Sequence, residues 1–274
     1  TSGSWGTGTA DATAVGTGDG HYVRDDLGIQ MSRQLSVDDS SGQNFIGSVQ
    51  VANMNAVSGK IPLYLHYWDT FINPLWALAL GTADTTPNAL SASTAYTGTF
   101  EPATTKTGLY ATIVEDKSLD IYEVPGAKFT GFELRSGDMG RMEIDFNFIG
   151  DMQVEDSTIN TATQTAALTY PTLGLRAFLH QCVFRVNAQG GGALGASDAY
   201  TITGLKVTFD QPLDTVQVGG QTTIVEPEES AFPTCTIEVD FPRYDTKSDD
   251  FFAAHRSATA YKADLTWTGP VIGT

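Results

Sequence analysis

Residues 122–150, YEVPGAKFTGFELRSGDMGRMEIDFNFIG, constrain the fold more than any other stretch. From Arg141 to Phe148 the alternation is strict. Met142, Ile144, Phe146 and Phe148 fall on one side, and Arg141, Glu143, Asp145 and Asn147 on the other. A period of two places such sets on opposite faces of a pleated strand. The preceding run repeats the pattern, with Phe132 and Leu134 against Glu133 and Arg135. Between them Ser136-Gly137-Asp138-Met139-Gly140 supplies turn residues, its glycines free to take positive φ. The expected product is a long antiparallel hairpin with one apolar face and one charged face of mixed sign. No nucleophile, metal cluster or phosphate loop accompanies it, which points to architecture rather than chemistry.

The rest of the chain fits an all-β fold with short flanking helices. Strands are expected over Leu27–Val37, Phe45–Met54, Leu109–Asp116, Leu179–Asn187, Tyr200–Asp210, Thr234–Phe241 and Tyr261–Trp267, with a turn at Ser58-Gly59. A first helix has Asn73 as cap, Pro74 at its first position, an apolar run to Leu80 and Gly81 as its stop; being apolar nearly all round, it should lie buried on a sheet. A second, Phe251–Ser257, follows the capping run Ser248-Asp249-Asp250. Residues 1–20 are rich in Gly, Thr and Ala and read as a flexible arm. Residues 83–107 form a Thr/Ala/Pro-rich loop suited to meeting a partner, and 216–230 a loop with an acidic knot, Glu226-Pro227-Glu228-Glu229. Residues 151–172 are the best linker, dividing 21–150 from 173–274. Both halves share a strand–loop–capped helix–strand layout, so an internal duplication is expected.

Charge excludes one class outright. With 15 Lys+Arg against 32 Asp+Glu the chain carries −17, and it will not wrap nucleic acid, whose binding comes from cations releasing counterions. No apolar run is long enough to cross a bilayer. Cys182 and Cys235 lie outside any CxxC pair and are expected as two buried free thiols. His21, His66, His180 and His255 are scattered, without HxxxH spacing. The acidic pairs Asp38-Asp39 and Asp249-Asp250 are explained by a turn and a helix start, and the glycine stretches lack a P-loop ending. No catalytic residue, cofactor site or metal site is expected. A hydrolase on a β scaffold ranks last. A carbohydrate-binding or adhesive β-sandwich of a virion or cell surface is the alternative; it would need an exposed aromatic platform, and Trp5, Trp68, Trp76 and Trp267 sit mostly in core-like contexts.

The hairpin carries a resemblance. Gly126, Lys128, Gly131, Phe132 and Leu134, followed by Met142–Gly150, resemble the core hairpin of the tail tube (major tail) proteins of long-tailed bacteriophages of the siphovirus type. The run from Phe232 to Pro270 resembles that family's closing strand–helix–strand unit, the two together covering a quarter to a third of the chain. The resemblance implies a β-barrel or sandwich per tube domain and rings of six such domains, stacked into a hollow tube for DNA. Three copies build a ring if the chain holds two tube domains, six if it holds one; three is favoured. It also implies a virion protein made in the host cytoplasm, with tape measure and tail terminator or tip proteins as partners. DNA would pass without specific binding through a negative bore. Glu133, Arg135, Arg141, Glu143, Asp145 and Asn147 then line the bore or meet a neighbouring subunit, while the apolar face packs on the 71–80 helix. Ile144→Asp should abolish folding and Glu143→Lys should spare it.

Overall fold

A computed structural model of the chain describes residues 5, 12–37, 49–67, 71–82, 88–89, 96–104, 106–216, 223–243 and 246–269. In chain order its first elements are β1 (Gln30–Val37), β2 (Val49–Tyr64), α1 (Ile72–Leu80), β3 (Asn88–Ala89), β4 (Tyr96–Thr97), β5 (Ala111–Asp116), β6 (Ile121–Ser136), β7 (Met142–Gly150) and β8 (Val154–Glu155). There follow α2 (Ala162–Ala166), β9 (Cys182–Ala188), β10 (Ala199–Tyr200), β11 (Gly204–Asp210), β12 (Leu213–Asp214), β13 (Glu228–Glu229), β14 (Thr234–Asp240), α3 (Thr246–Ser257) and β15 (Tyr261–Trp267). The protein is therefore mostly β-sheet with a few short helices.

The hairpin is the spine. β6 and β7 pair from Ala127↔Gly150 to Ser136↔Met142, and the 16-residue β6 also carries β5 and β8 on its first half. The main sheet runs β1-β2-β7-β6-β11-β14, every adjacent pair antiparallel. Among the described residues it is open, ending at β1 and β14, so they do not close the expected barrel.

The alternation sorts the faces as its period requires. Met142, Ile144, Phe146 and Phe148 are buried, together with Phe129, Phe132, Leu134, Val207 and Phe209 from β6 and β11. Each such side chain contributes about 1.5–3 kcal/mol through removal from water. α1 closes this face: the Trp76 ring meets Phe132 edge-on at 4.6 Å and Phe146 at 5.2 Å. Gly131 belongs to a bulge in β6, at φ 147°, where a Cβ would collide with the Phe209 carbonyl of β11.

Several boundaries differ from the sequence-based expectation. α1 begins at Ile72, with Phe71 rather than Asn73 at the cap; Pro74 is tolerated because first-turn N–H groups have no intrahelical partner. The helix buries one face, Ile72, Leu75 and Ala79, and exposes Asn73 and Pro74, while Gly81 stops it at φ 96°. α3 starts at Thr246, so Ser248 and Asp249 lie inside the helix instead of before it. Ser58-Gly59 makes no turn, because β2 runs straight through it and the Phe148 ring occupies the space a Cβ on Gly59 would need. Residues 45–48 and most of 83–95 lie outside the described residues.

The segments expected to be loose have fixed contacts. Asn160, fully buried, accepts from Val15 N at 2.8 Å and donates to Thr13 O at 3.1 Å, so one carboxamide holds an extended piece of the leading segment. The 151–172 stretch buries Asp151, Ser157, Asn160 and Thr165 and forms α2. The main sheet takes strands from both sides of that stretch, β11 lying directly on β6. A smaller sheet, β10-β9-β15, packs beside α3 through Tyr200, Phe251 and Tyr261, with Phe251 at 5.1 Å from Tyr200.

Candidate assembly surface

The polar face of the hairpin is an ion network, drawn together from four strands and the leading segment. Asp145 accepts from Arg24 at 2.6 Å, from Arg135 at 3.3 Å and from Lys60 at 3.4 Å. Glu143 meets Arg135 at 3.1 Å and Arg24 at 3.5 Å. Glu133 meets Arg135 at 2.8 Å and Lys206 at 3.1 Å. Burial alone would lift the Glu133 carboxyl, but hydrogen bonds from Arg135 and Lys206 outweigh it and hold the group below the usual carboxylate range. Four cations thus face three carboxylates on a chain whose overall balance is strongly acidic.

Of the six residues singled out from sequence, Glu133, Arg135, Glu143 and Asp145 lie inside this network. Asn147 is exposed farther along β7. Arg141 stands at the hairpin turn, its guanidinium 3.8 Å from Met139 Sδ. Alternation marked the face; it gave no sign that Arg24 and Lys60, 121 and 85 residues from Asp145, would complete it.

A second hub was missed. The acidic knot folds back onto β6, where Glu226 accepts from Lys128 Nζ at 3.0 Å, from Gly108 N at 3.2 Å and from Tyr110 OH at 2.6 Å. Lys128, the lysine of the hairpin motif, is buried and also donates to Pro227 O at 2.6 Å. Burial raises the Glu226 carboxyl, yet the hydrogen bonds from Tyr110 and Lys128 leave it below its ordinary value; the Tyr110 phenol is pushed up to about 12 by burial and by that carboxylate. Lys106 is fully buried as well, its ammonium donating to the Ala79 carbonyl in the last turn of α1 and to Phe129 O at 3.3 Å. A cation there suits the negative end of the helix. Burial depresses its pKa to about 8.

The ends of the sheet are open. β14 is the exposed strand: Cys235 and Ile237 continue the apolar rows of Phe209 and Val207, with Ile237 40% exposed, and Phe232 just before the strand is 92% exposed. Cys235 is thus an exposed thiol, not the buried one expected, because among the described residues β14 has a partner on one side only; Cys182 is half-buried, and both are free.

On the polar side, where β7 and β11 end, lies a pocket of about 540 Å³ reaching from Leu27 and Gln30 across Lys60 and Asn147 to Gln211 and Leu213. Among the described residues no group of three His, Cys, Asp or Glu side chains is placed to hold a metal ion.

Among the described residues the sheet is thus open at its ends, packed by α1 on one side and self-paired in charge on the other. The family model described as "Phage tail tube protein" matches residues 2–273. The chain belongs to the phage tail tube protein family. A tail tube protein is a structural component of the virion, in a family of structural proteins rather than enzymes. No curated protein matches this tail tube protein. No helix among its described residues is long and apolar enough to cross a membrane.

Proposed function

We propose that this chain assembles with copies of itself into stacked rings that form the hollow tail tube through which DNA passes during ejection. The observation that carries the reading is the parity of the open sheet. Its six-strand path alternates in direction throughout, so β14 of one copy and β1 of the next run antiparallel when set edge to edge. Joining them continues the pattern and satisfies two rows of unpaired backbone groups, which in a lone subunit invite promiscuous pairing. An odd number of strands would have broken the alternation.

The same seam supports three copies per ring. Within the chain, β6 of the 21–150 unit already lies against β11 of the 173–274 unit. With a β14–β1 junction between chains, three chains would supply six tube-type units, each chain giving four strands of the path from 21–150 and two from 173–274. Glu133, Arg135, Glu143 and Asp145 then face the bore as paired ions. Passing phosphates meet cations already engaged by carboxylates, with Glu238 and Asp240 exposed on β14 nearby, so DNA slides without specific binding. A tape measure protein inside and terminator and tip proteins at the ends complete the tail, assembled in the host cytoplasm.

Cys235 reports on the seam. In a Cys182→Ser background, a maleimide should modify Cys235 readily in dilute protein and at least tenfold more slowly after assembly. Equal labelling in both states would place β14 outside the contact and sink this ring geometry.

A further inference from the structure

A second cavity, of about 630 Å³, lies between α3 and the smaller sheet. Its aromatic walls are Tyr200 and Tyr261, and Phe251 fixes both rings, edge-on to Tyr200 at 5.1 Å and stacked on Tyr261 at 6.0 Å. Val186 and Ala254, both buried, supply aliphatic wall beside them. The polar lining includes Asp198, Asp250, Ser257 and Thr259. Asp198 accepts from Gly195 N at 2.8 Å and from Asn187 Nδ2 at 3.3 Å, and the hydroxyls of Ser257 and Thr259 meet at 2.7 Å. A cavity of this size, part apolar and part polar, with its side chains held before anything enters, has the form of a small-molecule site.

The lining selects the ligand by its chemistry. Among the described residues it contains two carboxylates and no Lys, Arg or His, so phosphates, sulfates and carboxylates are repelled. Nor is a metal ion provided for, since no group of three His, Cys, Asp or Glu is in place among those residues. A carboxylate only accepts hydrogen bonds, whereas a hydroxyl both donates and accepts, so the ligand that fits presents several O–H groups. It also presents an apolar face to the two rings. A neutral sugar ring combines the two, with hydroxyls around its rim and C–H groups on its faces. An organic ammonium would suit the carboxylates but make no use of the hydroxyl donors beside them.

We infer that this cavity binds a neutral sugar ring, with Tyr200 and Tyr261 against its C–H face and Asp198 and Asp250 accepting from its hydroxyls. Cys182, Leu265 and Trp267 of the smaller sheet pack on the same core as Phe146 and Phe209, so the cavity belongs to the apolar side of the main sheet. With the charged face towards the bore, that side is the outside of the tube. This placement rests on the tube reading; the sugar site itself does not. Stacked rings repeat the site along the outer wall, so that individually weak contacts with a glycan-bearing surface act together.

The test is an array of neutral and anionic glycans probed with the purified protein, followed by calorimetric titration with the best neutral sugar and with choline chloride. Saturable binding of a neutral sugar, weakened about tenfold or more by Tyr261→Ala and by Asp250→Asn, is the expected result. Asp250 is exposed, so its amide variant separates loss of the site from loss of the fold. The site is overturned if no neutral glycan binds, if only anionic glycans or choline bind, or if neither variant weakens the sugar. Negative-stain images of the same samples keep the two readings apart. Tubes without sugar binding overturn the site and leave the tube reading standing. Sugar binding by protein that forms no tubes supports the site and overturns its place on an outer wall.

Discussion

Lys106 is the residue whose environment departs furthest from what its type prefers. Its ammonium is enclosed beneath α1 and β6, satisfied by Ala79 O and Phe129 O, and burial holds its pKa at about 8. In the unfolded chain the same group keeps its proton to about pH 10.4. Between those values the unfolded state binds more protons, so this group's contribution to stability rises with pH. Cys182, pushed up to about 11 by burial, acts in the opposite sense above its ordinary value, so the informative quantity is a difference between variants. Compared with Lys106→Met by urea unfolding, the parent should gain about 2–3 kcal/mol between pH 7 and pH 10. A pH-independent difference would mean that the ammonium is not enclosed in solution. Nothing in the Thr-rich run around residue 106 marks that lysine as buried; its partners come from α1 and β6, remote in sequence.

At the scale of the element, the β6–β7 hairpin shows which signals are local. Its alternation, its glycine-bearing turn and its apolar row are all properties of neighbouring residues, and Met142, Ile144, Phe146 and Phe148 are buried as their spacing requires. Helix starts differ from the sequence-based expectation by two and five residues, because Phe71 caps α1 without a side-chain bond and Thr246 opens α3 ahead of its acids. The charged face was legible as a face but not as a network, since Arg24, Lys60 and Lys206 reach it through tertiary structure. That changes what its residues tolerate. Asp145, whose side chain is 6% exposed, meets three cations, so Asp145→Ala should cost about 3–5 kcal/mol in denaturant unfolding, as removal of one member of a buried ionic set does. A loss under 1 kcal/mol would show the network to be solvated. Glu143→Lys, harmless on an exposed face, would here set a fifth cation beside Arg24 and Arg135, and it should destabilise as well.

At the scale of the whole molecule, the main sheet is open at both ends among the described residues. Its apolar side is closed by α1, the hairpin carboxylates of its charged side are all engaged by cations, and its two lateral edges run in opposite directions. Hydrophobic periodicity announced the strands; it was silent on their order, since β11 reaches β6 across the 151–172 stretch that reads as a linker. The family match over residues 2–273 supplies the biological context, and the open edges supply a physical route into it. The most direct measurement is negative-stain electron microscopy of the purified protein over a range of concentration and salt. The account predicts hollow tubes or stacked rings with a central bore, and end views showing three chains arranged with sixfold pseudosymmetry. Solid fibres, sheets or closed particles without a bore would contradict it.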